Sequence, residues 1–131
     1  MGNRAVISFK YKNVPKEFSP SIYLHWNGGR DSIEAFLLAH KMCEHRHGDY
    51  GIARLIQLIS NYFGGGLSIG VSTYNNLDTD NYDNGVYWIC PDTFKIIDRE
   101  FNRYKEQNSY DVLEMAEDVI NRTAEKNTEN A

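Results

Sequence analysis

Long apolar runs are missing from this chain. The longest, Ala35 to Ala39 ("AFLLA"), is far short of the roughly 20 residues that cross a bilayer as a helix. No basic-then-apolar leader opens the sequence, and Val6 stands where a myristoylation signal needs Ser or Thr after Gly2. No membrane association is expected. Cysteine is scarce as well: Cys43 and Cys90 are the only two, too few for a disulfide framework, and they read as reduced, packed thiols of a cytoplasmic protein. Basic residues are outnumbered 14 to 18, for a net charge of -4. General nucleic-acid binding, which depends on neutralising phosphates, is therefore not expected.

What is present suits one globular domain. The 131 residues are 41% hydrophobic and 24% charged. Residues 1–122 read as a single α+β domain and 123–131 as a disordered polar tail. The charge is split: residues 1–66 hold eight Lys/Arg against five Asp/Glu, and residues 67–131 hold six against thirteen. An acidic half of this kind attracts basic partners, while ordinary solubility accounts for the same split without any partner.

Periodicity places the elements. "RAVISFKYK" alternates as a half-buried strand, and "IYLHW" is a second that pairs with it as a hairpin. Asp31 caps a helix in a D-x-x-E arrangement with Glu34, carrying Ile33, Phe36, Leu37 and His40 on one face. Gly48 ends it, with His45, Arg46 and His47 in the last turn. Asp49 caps a second helix, whose stripe is Ile52, Leu55, Ile56, Ile59 and Phe63, and Gly64 to Gly66 stop it. "LSIGVS" and "GVYWIC" read as a hairpin around a long polar tip. "FKIIDREF" is either a further strand or the approach to a last helix, which Ser109 caps and which buries Val112, Leu113, Ala116, Val119 and Ile120. The expected architecture is a mostly antiparallel sheet of four to five strands, with two central helices and a C-terminal helix packed on it.

Three stretches invite chemistry. In "HWNGGRDS" a strand breaks through two glycines into a helix, which is how many proteins seat a phosphate on outward-facing helix amides. An anion or nucleotide site here would use His25, Trp26, Asn27, Gly28, Gly29, Arg30, Asp31 and Ser32, with Arg54 as a further cation. The alternative is a tight turn in which Gly28 and Gly29 supply positive φ and Asp31 caps the helix. Asn27 to Ser32 also resembles the S-G-G-x-D-S signature of the PP-loop ATP pyrophosphatases, with Asn27 in place of the first serine. That family needs another strand soon after the helix, and here a second helix follows.

The second stretch is "HKMCEHRH", in which His40, Cys43 and His47 stand at i, i+3 and i+7, a spacing that could offer zinc three ligands from one helix face. A dipole-favoured helix end with a core cysteine is the favoured explanation, and no metal or other cofactor is expected. The third is the acidic tip around Asp78, Asp80 and Asp83. It lacks the glycine and closing glutamate of an EF-hand, and reads as an acidic partner surface with Tyr74, Tyr82 and Tyr87 as anchors. No Ser-His-Asp or Cys-His nucleophile stands out from spacing, so the chain leans away from catalysis.

Taken together, "GNRAVI", "IYLHWNGG", "AFLLA", "DYGIAR", "NYFGGGLSIGV" and "NNLDTDNYDNGVY" resemble a family of small proteins encoded by bacteriophages and prophages, over roughly residues 2 to 90. The resemblance implies a phage accessory protein in the host cytoplasm, with no associated enzymatic activity. By analogy with other small phage proteins, it implies a non-catalytic, anti-CRISPR-like inhibitor that blocks a host defence complex, or alternatively a sponge for immune signalling nucleotides at the glycine turn. Strand edges and exposed aromatics also leave room for a homodimer.

Overall fold

The structure, a computed structural model, describes residues 3–64, 68–102 and 109–129, with side chains to residue 124. Among the described residues five strands and three α-helices build an α+β fold: β1 (Ala5–Phe9), β2 (Pro20–Leu24), α1 (Arg30–Met42), α2 (Gly48–Phe63), β3 (Ile69–Thr73), β4 (Val86–Ile89), β5 (Ile96–Glu100) and α3 (Val112–Glu129). The sheet order is β3-β2-β1-β4-β5, and every neighbouring pair is antiparallel except β1 with β4.

β1 lies at the centre, and all five of its residues are buried. Strand alternation sends Ala5, Ile7 and Phe9 to the helical side, where they meet Ile22, Leu24, Phe36, Leu55, Ile59, Tyr87 and Val119. Val6 faces the other way and packs with Val86 and Trp88 beneath Tyr23, Tyr74 and Leu77. Ser8, also buried, meets Ser21 through a 2.7 Å hydroxyl hydrogen bond. The expectation of a half-buried first strand is thus corrected, because a cover over the second face is supplied from elsewhere in the chain.

That cover is the connection from Tyr74 to Gly85. The expected β3–β4 hairpin does not form: β3 pairs with β2 at one edge, and β4 pairs with β1 on the far side. The connection must cross two strands, and in crossing it lays Tyr74 and Leu77 over the sheet. Tyr74 stacks on Trp88 with ring centroids 5.3 Å apart. The β1–β2 pairing is antiparallel as expected, in register Ile7 with Ile22, and "FKIIDREF" contributes the edge strand β5.

Helix boundaries also differ from the sequence reading. Gly29 is the N-cap residue of α1, so Asp31 sits within the first turn instead of preceding it. α1 stops at Met42, and His45, Arg46 and His47 belong to the connection that follows. Gly48, at φ +62, opens α2, and Asp49 accepts a 2.8 Å hydrogen bond from the Tyr11 hydroxyl. Gly64 ends α2 in the left-handed region, while Gly65 and Gly66 lie outside the described residues. Asp111, not Ser109, caps α3, by accepting from the Glu114 amide at 2.9 Å. Leu113 points outward, and the buried side of α3 is Met115, Ala116 and Val119. α3 continues to Glu129, into the segment read as a tail, because its alanine, glutamate and lysine are good helix formers.

Gly28 is required for closeness, not for a positive φ. Asn27 takes the left-handed conformation at φ 56, while a Cβ on Gly28 would stand 2.6 Å from the Asn3 carbonyl oxygen and 2.7 Å from the Ala5 Cβ. Gly28→Ala is expected to cost about 1–3 kcal/mol through this overlap with fixed main chain. Urea unfolding measures it, and wild-type stability in the variant would contradict the packing described.

Candidate functional site

The glycine turn leads from β2 into α1. His25 and Trp26 are exposed, with their rings edge to face at 4.8 Å, and the Tyr23 hydroxyl lies 3.0 Å from His25 Nδ1. Behind them the turn is closed. The Gly28 amide donates to the Asn3 carbonyl at 2.9 Å, and the Gly28 carbonyl accepts from the buried Tyr87 hydroxyl at 2.7 Å. Asp31 is 5% exposed, and its carboxylate accepts from the amides of Ser32 at 2.7 Å, Ser109 at 2.6 Å and Tyr110 at 2.7 Å.

A buried carboxylate therefore occupies the positive end of α1, where an incoming phosphate would need to sit. Asn27 Nδ2 reaches Ser32 Oγ at 3.5 Å, and Arg30 lies 3.8 Å from Glu34 one turn along. Arg54 does not join this group. It is on α2, hydrogen-bonded to Gln57, and its charge acts on His45 beyond the other end of α1.

The acidic connection is fastened from within. Arg4 Nε donates to Asp83 Oδ2 at 2.8 Å, the Arg4 amide donates to the same oxygen at 3.1 Å, and Arg4 Nη1 lies 3.6 Å from Asp78. Partial burial pushes the Asp83 carboxyl up, but the bonds to Arg4 outweigh it and hold the group below the usual carboxylate range. Asn81, 1% exposed, accepts from the Asp83 and Gly85 amides and donates to the carbonyls of Asp78 and Gly85.

Of the three tyrosines expected as anchors, Tyr87 is fully buried with an Arg99 guanidinium 3.7 Å from its ring centre, so it is unavailable to a partner. Tyr74 is committed to Trp88 and to Glu100, to which its hydroxyl donates at 3.1 Å. Tyr82 is 62% exposed.

Glu100, which sequence reasoning passed over, receives three donors: Trp88 Nε1 at 2.6 Å, Lys16 Nζ at 2.7 Å and Tyr74. Burial raises its carboxyl, and these three bonds lower it further than burial raises it. This group ties the edge strand β5 to Tyr74 of the long connection and to Lys16 of the β1–β2 connection. It is a structural hub, and residues so far apart in sequence gave no local signal of it.

The histidine cluster takes a form the spacing did not suggest. Because α1 ends at Met42, His40, Cys43 and His47 share no helix face, and His47 approaches His40 only as the chain turns back into α2. His40 is 1% exposed and stacked on Phe94, with centroids 4.2 Å apart and planes 4° from parallel; the rings of His45 and His47 stand 5.4 and 6.1 Å away. Its Nε2 is buried with no hydrogen-bond partner among the described residues. Cys43 is half-buried, and burial pushes its thiol up. Among the described residues, no three His, Cys, Asp or Glu side chains are grouped to hold a metal ion.

Beside His40 opens a cavity of about 790 Å³ between α1, the segment at residues 92–95 with the start of β5, and the start of α3. Phe94, at the centre of this arrangement, attracted no attention in the sequence because its partner lies more than fifty positions away. No family model, curated protein or solved structure matches the chain.

Burial, followed by the charges of His45 and His47, lowers the His40 pKa from 6.5 to about 4. The unfolded ring therefore takes up its proton first as the pH falls. Stability due to the neutral ring is complete above pH 6.5 and is lost between there and about 4. From pH 7 to 4.5 this should remove about 2 kcal/mol, and His40→Phe should lose correspondingly less over the same interval. Urea unfolding of both proteins at the two pH values tests this; identical pH dependence would contradict it.

Proposed function

We propose that this protein is a phage-encoded, non-catalytic inhibitor that covers a basic surface of a bacterial defence complex. One observation carries the reading: the Tyr74–Gly85 connection is acidic, long and internally fastened. It opens with a single 3-10 turn, Tyr74–Asn76, and is longer than most connections between elements. It is held by the Arg4–Asp83 pair, the Asn81 bonds and the Tyr74–Trp88 stack, and it leaves Tyr82 and the Asp78 carboxylate turned outward.

A surface already ordered before association loses little conformational entropy on binding. An exposed tyrosine supplies the kind of anchor that dominates interface energetics, and neighbouring carboxylates steer and align a basic partner. Inhibition would be steric, with no turnover. The nucleotide-sponge alternative is not favoured, because the Asp31 carboxylate already fills the anion position of the glycine turn.

The test uses cells that carry an active CRISPR complex and are challenged with a sensitive phage. The wild-type protein should restore plaquing. The double variant Asp78→Asn, Tyr82→Ala, which keeps Asp83 on Arg4 and sets no like charge beside it, should restore at least about tenfold less, as expected for loss of an anchor, with its unfolding temperature within a few degrees of the wild-type value. Full restoration by the variant would remove the connection from the interface, and no restoration by the wild-type protein against any such complex would overturn the inhibitor reading.

A further inference from the structure

The two edges of the sheet are unlike. β5 carries Asp98, Arg99 and Glu100, and its pairing with β4 is irregular at Trp88 and Ile89. Charges and bulges of this kind keep an edge from pairing with another chain. β3 has neither: its sequence is IGVST, and its register with β2 runs evenly from Ile69 to Thr73. In a chain that is 24% charged, residues 55–77 contain no Asp, Glu, Lys or Arg. The ladder also fixes which main-chain groups face outward. The His25 amide donates to the Ser68 carbonyl and the Tyr74 amide to the Ser19 carbonyl. Inward bonds of an antiparallel pair recur at every second residue, so Gly70 and Ser72 also face β2. The amides and carbonyls of Ile69, Val71 and Thr73 point away from the sheet, and nothing among the described residues accepts from those three amides. Val71 stands beside the buried Ile22 on the helical side, yet it is 60% exposed. The apolar row of the core thus continues onto β3 and is left bare there.

We propose that β3 pairs antiparallel with β3 of a second copy of this chain, Val71 opposite Val71, joining two five-stranded sheets into one.

Symmetry and charge select the occupant. A two-fold axis at Val71 sets Ile69 opposite Thr73 and Gly70 opposite Ser72, which is an isologous contact. Each outward amide then meets an outward carbonyl: Val71 pairs with its own copy, and Ile69 with Thr73. The two Val71 side chains lie on the same face and cover each other. Any charge close to such an axis lies close to its own copy, and like charges held opposite each other are destabilising. A chain of net charge -4 can approach itself here because the whole stretch around β3 is uncharged. An edge built for a foreign strand gains from charge that selects its partner, and this edge has none. The axis is perpendicular to the sheet, so both Tyr74–Gly85 connections lie on one face of the joined sheet. The pairing itself does not depend on the inhibitor reading.

Sedimentation equilibrium of the whole protein over a micromolar concentration series tests the pairing. The wild-type protein should reach twice the 15.1 kDa mass of the chain. Val71→Lys and Val71→Glu should each weaken association at least about tenfold, since each sets like charges opposite one another. Both should stay folded, because the side chain they replace is exposed. An equimolar mixture of the two should restore the dimer, because residue 71 of one copy meets residue 71 of the other. Amide exchange in the unaltered protein gives a second reading that needs no variant. The Ile69 and Val71 amides should exchange as slowly as those of Gly70 and Ser72 where the dimer forms, and faster on dilution. A monomer at every concentration, undiminished association of either variant, a mixture of folded variants that stays monomeric, or rapid exchange of the Val71 amide in the dimer would each overturn the proposal.

Discussion

The structure depends on keeping β1 dry on both faces. A central strand with five consecutive buried residues needs two covers, and the chain supplies two of very different kind. On one side the three helices form a conventional core around Ile7 and Phe9. On the other, no α-helix among the described residues packs against the sheet. A polar connection does the covering, pressing Tyr74 and Leu77 onto Val6, Val86 and Trp88. A polar segment can serve this way only if its own groups are satisfied. The side chains of Asn81, Arg4 and Glu100 do this: Asn81 serves the main chain of the connection, Arg4 neutralises Asp83, and Glu100 gathers Trp88, Tyr74 and Lys16.

The glycine turn follows from the same constraint. Gly28 fits against Asn3 and Ala5 because β2 must leave the sheet hard against the start of β1. The Tyr87 hydroxyl, reaching across from β4, pins the turn's carbonyl. Asp31 then fastens the α1 start to the approach to α3 through the amides of Ser109 and Tyr110. A motif that looks like a phosphate seat in one dimension is, in three, a junction of β2, α1 and α3. The buried carboxylate makes it electrostatically complete without a ligand.

Much of the fold was legible in local pattern. The stripe at Leu55 and Ile59 marks α2, and the alternation at Ile22 and Leu24 marks β2, because burial of one face imposes a period that survives in a single sequence. Pairing was less legible. β3 and β4 read as a hairpin since nothing local distinguishes a long tip from a crossover; only the partners at Ile22 and Val6, far off in the chain, decide it. Caps misled for a related reason. Asp31 and Asp49 sit where a cap is plausible, yet tertiary partners claimed both carboxylates, Asp31 by the Ser109 and Tyr110 amides and Asp49 by the Tyr11 hydroxyl. The histidine at position 40 was visible as one member of a cluster. Its isolation beside a cavity was not, because that depends on Phe94 and on where α1 stops.

The central claim is that the Tyr74–Gly85 connection is a fixed part of the fold that covers the second face of the sheet. Amide hydrogen exchange tests it most directly. The amides of Val6, Asp83, Asn84 and Gly85 donate to Gly85 O, Asn81 Oδ1, Arg4 O and Asn81 Oδ1 respectively. All four should exchange slowly, with Val6 and Gly85 approaching the protection of the β1–β2 pairing. If Asp83, Asn84 and Gly85 instead exchange at the rates of an unstructured chain while β2 stays protected, the connection is a mobile tip, and neither the dry second face nor the preordered surface built on it stands.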